Sequence, residues 1–110
     1  MDKLEYFRIR IGKDKITLIK ILATFWWFDI LFCIHKSYEN EGDDIIVSEY
    51  STGLKVPIGK KINQQNAYIE TCLVLNEKGL CEVHNAIEKW PIINRKMVDI
   101  NEPKRSMVNI

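Results

Sequence analysis

Residues 16–34 read ITLIKILATFWWFDILFCI. A stretch this apolar must enter a bilayer, fill a core or meet a partner. It is nineteen residues long, close to the thickness of a bilayer for a helix. Its eleven Leu, Ile and Phe residues would favour insertion by about 0.3–0.6 kcal/mol each. Lys20 and Asp29 would oppose it by about 2.5–3.5 kcal/mol each if central. These sums nearly cancel, so position decides. Trp26 and Trp27 lie mid-segment, whereas interfacial tryptophans prefer the ends. Both flanks are basic, Lys13 and Lys15 before and His35 and Lys36 after, and give no orientation. Without this segment the rest of the chain would have a thin core. The expectation is therefore a soluble fold with no membrane partner, with at least one indole packed between a helix and a sheet.

A chain of 110 residues with 46% hydrophobic and 28% charged residues suits one domain with a real core. The expected unit is residues 1–103, with 104–110 as a mobile tail. A net charge of +1 names no polyanionic or cationic partner. Plentiful Ile, Lys and Asn fit AT-rich coding DNA, as in some bacteria and their phages. Three cysteines and an opening, MDKLEYFRIR, without an apolar run argue against a signal peptide and a disulfide framework. A cytoplasmic location is the expectation.

Local pattern supplies the elements. Residues 5–11 alternate, with Phe7, Ile9 and Ile11 opposite Arg8 and Arg10, and predict a half-buried strand. Asp14 can cap a helix from Lys15, because Ile16, Ile19, Ala23 and Trp26 share one helical face; β-branched residues over 16–22 leave a strand as the competing reading. The tryptophan pair would then be the hinge into a meander over 29–59. Ile30, Phe32 and Ile34 open it as a buried strand. ENEGDD turns, and residues 45–50 follow as the next strand. Gly53 closes a tight hairpin loop, and residues 54–58 return, with Pro57 marking an edge. Asn63 predicts the cap of a helix over 64–76, Gly79 its end, and Leu80, Val83, Ile87 and Trp90 a further helix up to Pro91. A short strand at 92–93 or 97–100 would close the chain. The fold class is α+β, a small antiparallel sheet of three to four strands with helices on one face.

The chemistry-bearing residues form no catalytic signature. Cys33, His35, Cys81 and His84 could complete a zinc site, but no C-x-x-C pair exists and the spacing matches no finger. Cys81 with His84 lacks an orienting third group and an oxyanion hole. GLKVPIGKK (53–61) fails as a phosphate loop: five residues separate Gly53 from Gly59, and Lys61 stands where Ser or Thr should bind magnesium. Glu39, Glu41, Asp43 and Asp44 lack the alternation of a calcium loop and read as a solvated hairpin tip. No cofactor and no enzyme activity are expected.

What remains is binding. A small intracellular interaction protein is expected, one that binds and inhibits or neutralises a protein or nucleoprotein partner. A phage or mobile-element product, such as an anti-defence inhibitor or toxin-immunity protein, would suit its size and composition. Its partner surface would combine Glu41, Asp43, Asp44, Tyr50, Lys60 and Lys61. The alternative is a nucleic-acid-binding module using Arg8, Arg10, Lys60 and Lys61. The α-β-β-β-α order resembles that of double-stranded RNA-binding domains, although acidic Glu70, Glu77 and Glu82 follow the lysines. A homodimer is possible if one of Trp26, Trp27 or Trp90 is exposed.

Overall fold

A computed structural model describes residues 5–12, 15–38, 44–61 and 63–94. Five strands precede two helices: β1 (Tyr6–Arg10), β2 (Ile16–Lys20), β3 (Ala23–Trp27), β4 (Ile30–Lys36), β5 (Ile45–Glu49), α1 (Gln64–Lys78) and α2 (Leu80–Glu88). All pairings are antiparallel, β1 with β2 in one ladder and β3-β4-β5 in the other. The class is α+β.

The helix expected from Lys15 to Trp26 is two strands, which also removes the α-β-β-β-α order behind the RNA-binding comparison. Residues 16–27 form one extended run with a bend at Ile21 and Leu22. The Ile21 N–H still donates into the first ladder, to the Glu5 carbonyl (2.8 Å), while the Leu22 N–H already donates into the second, to the Ile34 carbonyl (2.8 Å). Ile, Thr, Phe and Trp fit a pleated surface better than a helix, because branching and ring bulk restrict χ1 against the preceding helical turn. The nineteen-residue stretch thus spans β2, β3 and most of β4. Among the described residues no helix is long and apolar enough to cross a membrane.

The bend makes two cores. β4 lies between them, and its side chains alternate from one to the other. Phe32 and Ile34 face the helices, joined by Trp27, Val47, Val56, Ala67, Leu75 and Val83. Cys33 faces the β1–β2 hairpin with Phe7, Ile9, Ile21 and Tyr50. The helices therefore pack on one face of the three-stranded sheet and the hairpin folds over the other. Trp27 is buried, and its indole N–H donates to Asn76 Oδ1 on α1 (3.0 Å), as expected for one indole between helix and sheet. The tryptophans sit at the end of β3, beside the two-residue β3–β4 turn, rather than at a helix–meander hinge.

The turn chemistry holds. Glu49 meets both Gly53, whose N–H it accepts (2.9 Å), and Leu54, to whose carbonyl it donates (2.8 Å). Gly53, at φ 73, is the extra residue of a bulge that needs the left-handed region. The return of 54–61 is made of isolated bridges, Ser48 with Lys55 and Ile45 with Lys61, rather than a full strand. Asn63 caps α1 by accepting the Asn66 N–H (2.8 Å), and Gly79 separates the helices. Residues 92–93 form no strand, while 97–100 and the tail from 104 lie outside the described residues.

Candidate functional site

The register of the β1–β2 hairpin sorts its side chains. Phe7, Ile9 and Ile19 turn toward the core. Tyr6 stands opposite Lys20, Arg8 opposite Leu18 and Arg10 opposite Ile16, and these six share the outer face. Tyr6, Ile16 and Leu18 are exposed, Leu18 to 59%. Three large apolar groups thus alternate with three cations, and none of the six is acidic.

This face is braced from behind. Arg10 Nε donates to the Thr52 carbonyl (2.9 Å) and its Nη2 to the Pro91 carbonyl (3.0 Å), while its guanidinium lies 5.0 Å from the Trp90 ring centroid. Arg8 Nη1 donates to the Ile93 carbonyl (3.4 Å). Asn94, 3% exposed, ties the layers: its Oδ1 accepts the Arg8 N–H (2.8 Å), and its Nδ2 donates to the carbonyls of Arg8 (2.8 Å) and Tyr50 (2.6 Å). Carbonyl partners orient the arginines without neutralising them, so the face keeps its positive charge.

A second exposed feature runs along α1. Ala67, Thr71 and Leu75 form its buried row. Ile69 and Leu73 lie on the opposite side, 46% and 64% exposed. With Val74 they floor a groove of about 740 Å³ rimmed by Lys60, Lys61, Glu70 and Glu77.

The residues expected to bind a partner fare unequally. Lys60 pairs with Asp44 at 3.6 Å, and Lys61 pairs with Glu70. That Lys61 bond, followed by the Gly59 N–H (3.2 Å), holds the Glu70 carboxyl below its ordinary value. Both lysines border the groove, but Arg8 and Arg10 belong to the hairpin. Tyr50 is not a surface anchor: it is 7% exposed and stacks on Phe7 at 6.0 Å, because the strand returns it to the hairpin-side core. Burial first, then the neighbouring Cys33, raises its hydroxyl above the usual phenol value. Glu41 and Asp43 lie outside the described residues.

The zinc alternative fails on geometry. Cys33 and His35 point from β4 toward the hairpin, whereas Cys81 and His84 ride on α2 beyond the other face. Among the described residues no three His, Cys, Asp or Glu gather to hold a metal. His84 Nε2 instead meets Asp29 Oδ1 at 3.1 Å. Burial, then the charge of Glu49, pushes the Cys33 thiol far above the ordinary range and keeps it protonated.

His35 carries a contact that the sequence did not suggest. Its Nδ1 lies 2.9 Å from the Lys36 carbonyl, which makes Nδ1 the donor and leaves Nε2 to accept from Ser48 Oγ at 2.9 Å. That is a nucleophile–base geometry, but both residues are 1% exposed and no substrate can reach them. The pair braces β4 against β5.

Alternation at Ile16, Leu18 and Lys20 was the available signal for the hairpin face. Ile69 and Leu73, offset from the buried row, were the signal for the groove. No family model, curated protein or solved structure matches this chain.

Proposed function

We propose that this protein acts by binding a macromolecular partner that presents acidic groups around an apolar patch, and that covering this patch inhibits or neutralises the partner. One observation carries the reading: Tyr6, Arg8, Arg10, Ile16, Leu18 and Lys20 share a braced, largely exposed sheet face, and none of the six is acidic. Apolar anchors supply affinity, and surrounding charge supplies encounter rate and choice of partner. The braced arginines lose little side-chain freedom on binding, which favours association further. The AT-rich bias of the sequence fits an anti-defence inhibitor or toxin-immunity protein of a phage or mobile element.

Nucleic acid is the second reading, favoured by the same three cations. Leu18 and Ile16 at the middle and corner of the face suit a protein better than a phosphate backbone. Affinity capture from the native host, comparing the natural chain with Leu18→Asp and Lys20→Glu, tests the proposal. A stoichiometric protein that the variants bind at least ten-fold more weakly is the expected result. Equal capture by the variants would refute it. Duplex binding that falls steeply with salt would support the second reading instead.

A further inference from the structure

The register of the hairpin also fixes where its backbone groups point. The Arg8 N–H donates to Asn94 Oδ1 (2.8 Å), the Arg8 carbonyl accepts from Asn94 Nδ2 (2.8 Å), and the Arg10 N–H donates to the Gly53 carbonyl (3.2 Å). Arg8 and Arg10 therefore turn their backbone away from β2. In an antiparallel ladder, two residues that face each other either bond each other or both turn outward. Leu18 faces Arg8, Ile16 faces Arg10 and Lys20 faces Tyr6. The N–H and C=O groups of Ile16, Leu18 and Lys20 thus point out of the far edge of β2. Among the described residues β2 pairs with β1 alone, and none of these groups has a backbone partner. One edge of the hairpin is closed by Asn94 and Gly53, and the other is open. The cover beneath thins toward the open edge: Phe7 and Ile9 on β1 are 2% and 5% exposed, whereas Thr17 and Ile19 on β2 are only half-buried.

We infer that a partner protein adds an extended segment to this edge as a further, antiparallel strand. This rests on the hairpin face being the partner surface, and it specifies what the partner presents there. Alternating donors and acceptors match a peptide backbone, not a phosphate, which offers acceptors alone. Residues paired with Lys20, Leu18 and Ile16 place their side chains on the same outer face. Opposite charge suits the position facing Lys20, and apolar groups suit those facing Leu18 and Ile16. The segment therefore reads acid–x–apolar–x–apolar in its own chain direction, and its intervening residues extend the thin cover beside Ile19. A second copy of β2 could pair about an axis at Leu18, but it would join two cationic faces into one and supply no acid.

Panning the full chain against displayed random peptides of about ten residues, a strand's usual length, tests this. Enriched peptides should share the acid–x–apolar–x–apolar pattern. N-methylation at the acidic and apolar positions, whose amides face β2, should weaken binding about ten-fold or more, and methylation at the intervening positions should change it little. Leu18→Pro removes only an outward N–H from the backbone, since that group makes no ladder bond. It should weaken peptide binding about ten-fold beyond Leu18→Ala, with the two variants matched in circular dichroism. No enriched pattern, or binding indifferent to which amides are methylated, would overturn the inference. Should host-partner capture still respond to Leu18→Asp in that event, the hairpin face stands and strand addition alone fails.

Discussion

Replacing Gly53 with alanine should be among the most damaging single-methyl additions this fold can receive. A Cβ there would stand 2.9 Å from the Arg8 carbonyl oxygen, 2.9 Å from Ile9 Cα and 2.9 Å from Ile93 Cδ1. Two of these atoms belong to the β1 backbone, which the Arg10 N–H to Gly53 carbonyl bond (3.2 Å) and the Asn94 bridge hold in place. Relief by a rotamer change is available only at Ile93. The left-handed conformation (φ 73) adds about 1–2 kcal/mol for an L-side chain. Overpacking adds about 1–3 kcal/mol. Alanine also stiffens the unfolded chain, which offsets about 0.4–1 kcal/mol. The net loss is about 3 kcal/mol. With a urea m-value of about 2 kcal/mol/M, the unfolding midpoint should fall by about 1.5 M.

Gly79 supplies the control. It also has positive φ (91), but nothing lies within 4 Å of its Cβ position. Gly79→Ala therefore carries the backbone strain alone, about 1–3 kcal/mol before the same offset. Urea titrations of both variants, followed by tryptophan fluorescence, isolate the contact contribution. If Gly53→Ala is no more destabilised than Gly79→Ala, the close approach of β1 to the 51–53 loop is not a packing constraint, and the reasoning fails.

Two further predictions concern buried polar groups. The Glu49 carboxylate is 6% exposed and accepts from the N–H and hydroxyl of both Ser51 and Thr52 at 2.5–2.9 Å, so Glu49→Gln should cost about 2–4 kcal/mol in the same titration through lost charge-assisted bonds; an unchanged midpoint would refute it. Burial, the dominant cause, lowers the His35 pKa from 6.5, so the unfolded chain binds the proton more tightly. Stability conferred by neutral His35 is complete above about pH 6.5 and is lost as the pH falls toward the folded-state value, by at most about 1.4 kcal/mol per pH unit. Titrations between pH 7 and 5 should show that slope, flattened in His35→Gln; equal slopes would exclude His35 as its source.

Local chemistry made some elements legible and tertiary structure hid others. The Asn63 cap, the Gly79 break, Pro91 and Gly53 each act through one residue's donors or dihedrals, and all can be read without knowing the fold. Residues 16–27 could not be read that way. Residues 17 and 19 of β2, and Ile21 just after it, face the hairpin core or its edge, and after the bend Ala23, Phe25 and Trp27 face the helix core. One extended run therefore serves two cores on opposite sides, with its odd-numbered residues inward throughout and Leu22 packed inward as well at the join. The spacing left over, Ile16, Ile19, Ala23 and Trp26, imitates a helical face. Tyr50 failed as an expected anchor because its position after β5 returns it inward, a consequence of the Glu49 loop that no spacing reveals.

The same double core explains where recognition must lie. β4 is covered on both faces, so it needs a nearly continuous apolar sequence, and ILFCIH provides one. Its single polar member, His35, is tolerated because Ser48 and the Lys36 carbonyl satisfy both ring nitrogens. The apolar groups that looked most like a membrane segment or a binding surface are therefore largely interior. Those left exposed include Trp26 and Phe28 by the β3–β4 turn and two rows on the outer layers: Tyr6, Ile16 and Leu18 on the hairpin, and Ile69 and Leu73 on α1. Each row lies directly behind an inward row of its own element, Phe7, Ile9 and the partly buried Ile19 in the first case and Ala67, Thr71 and Leu75 in the second. An element apolar on both faces is held rigidly from one side while it presents the other. That is the arrangement a small binding protein needs, since anchors that are already ordered lose less entropy on association.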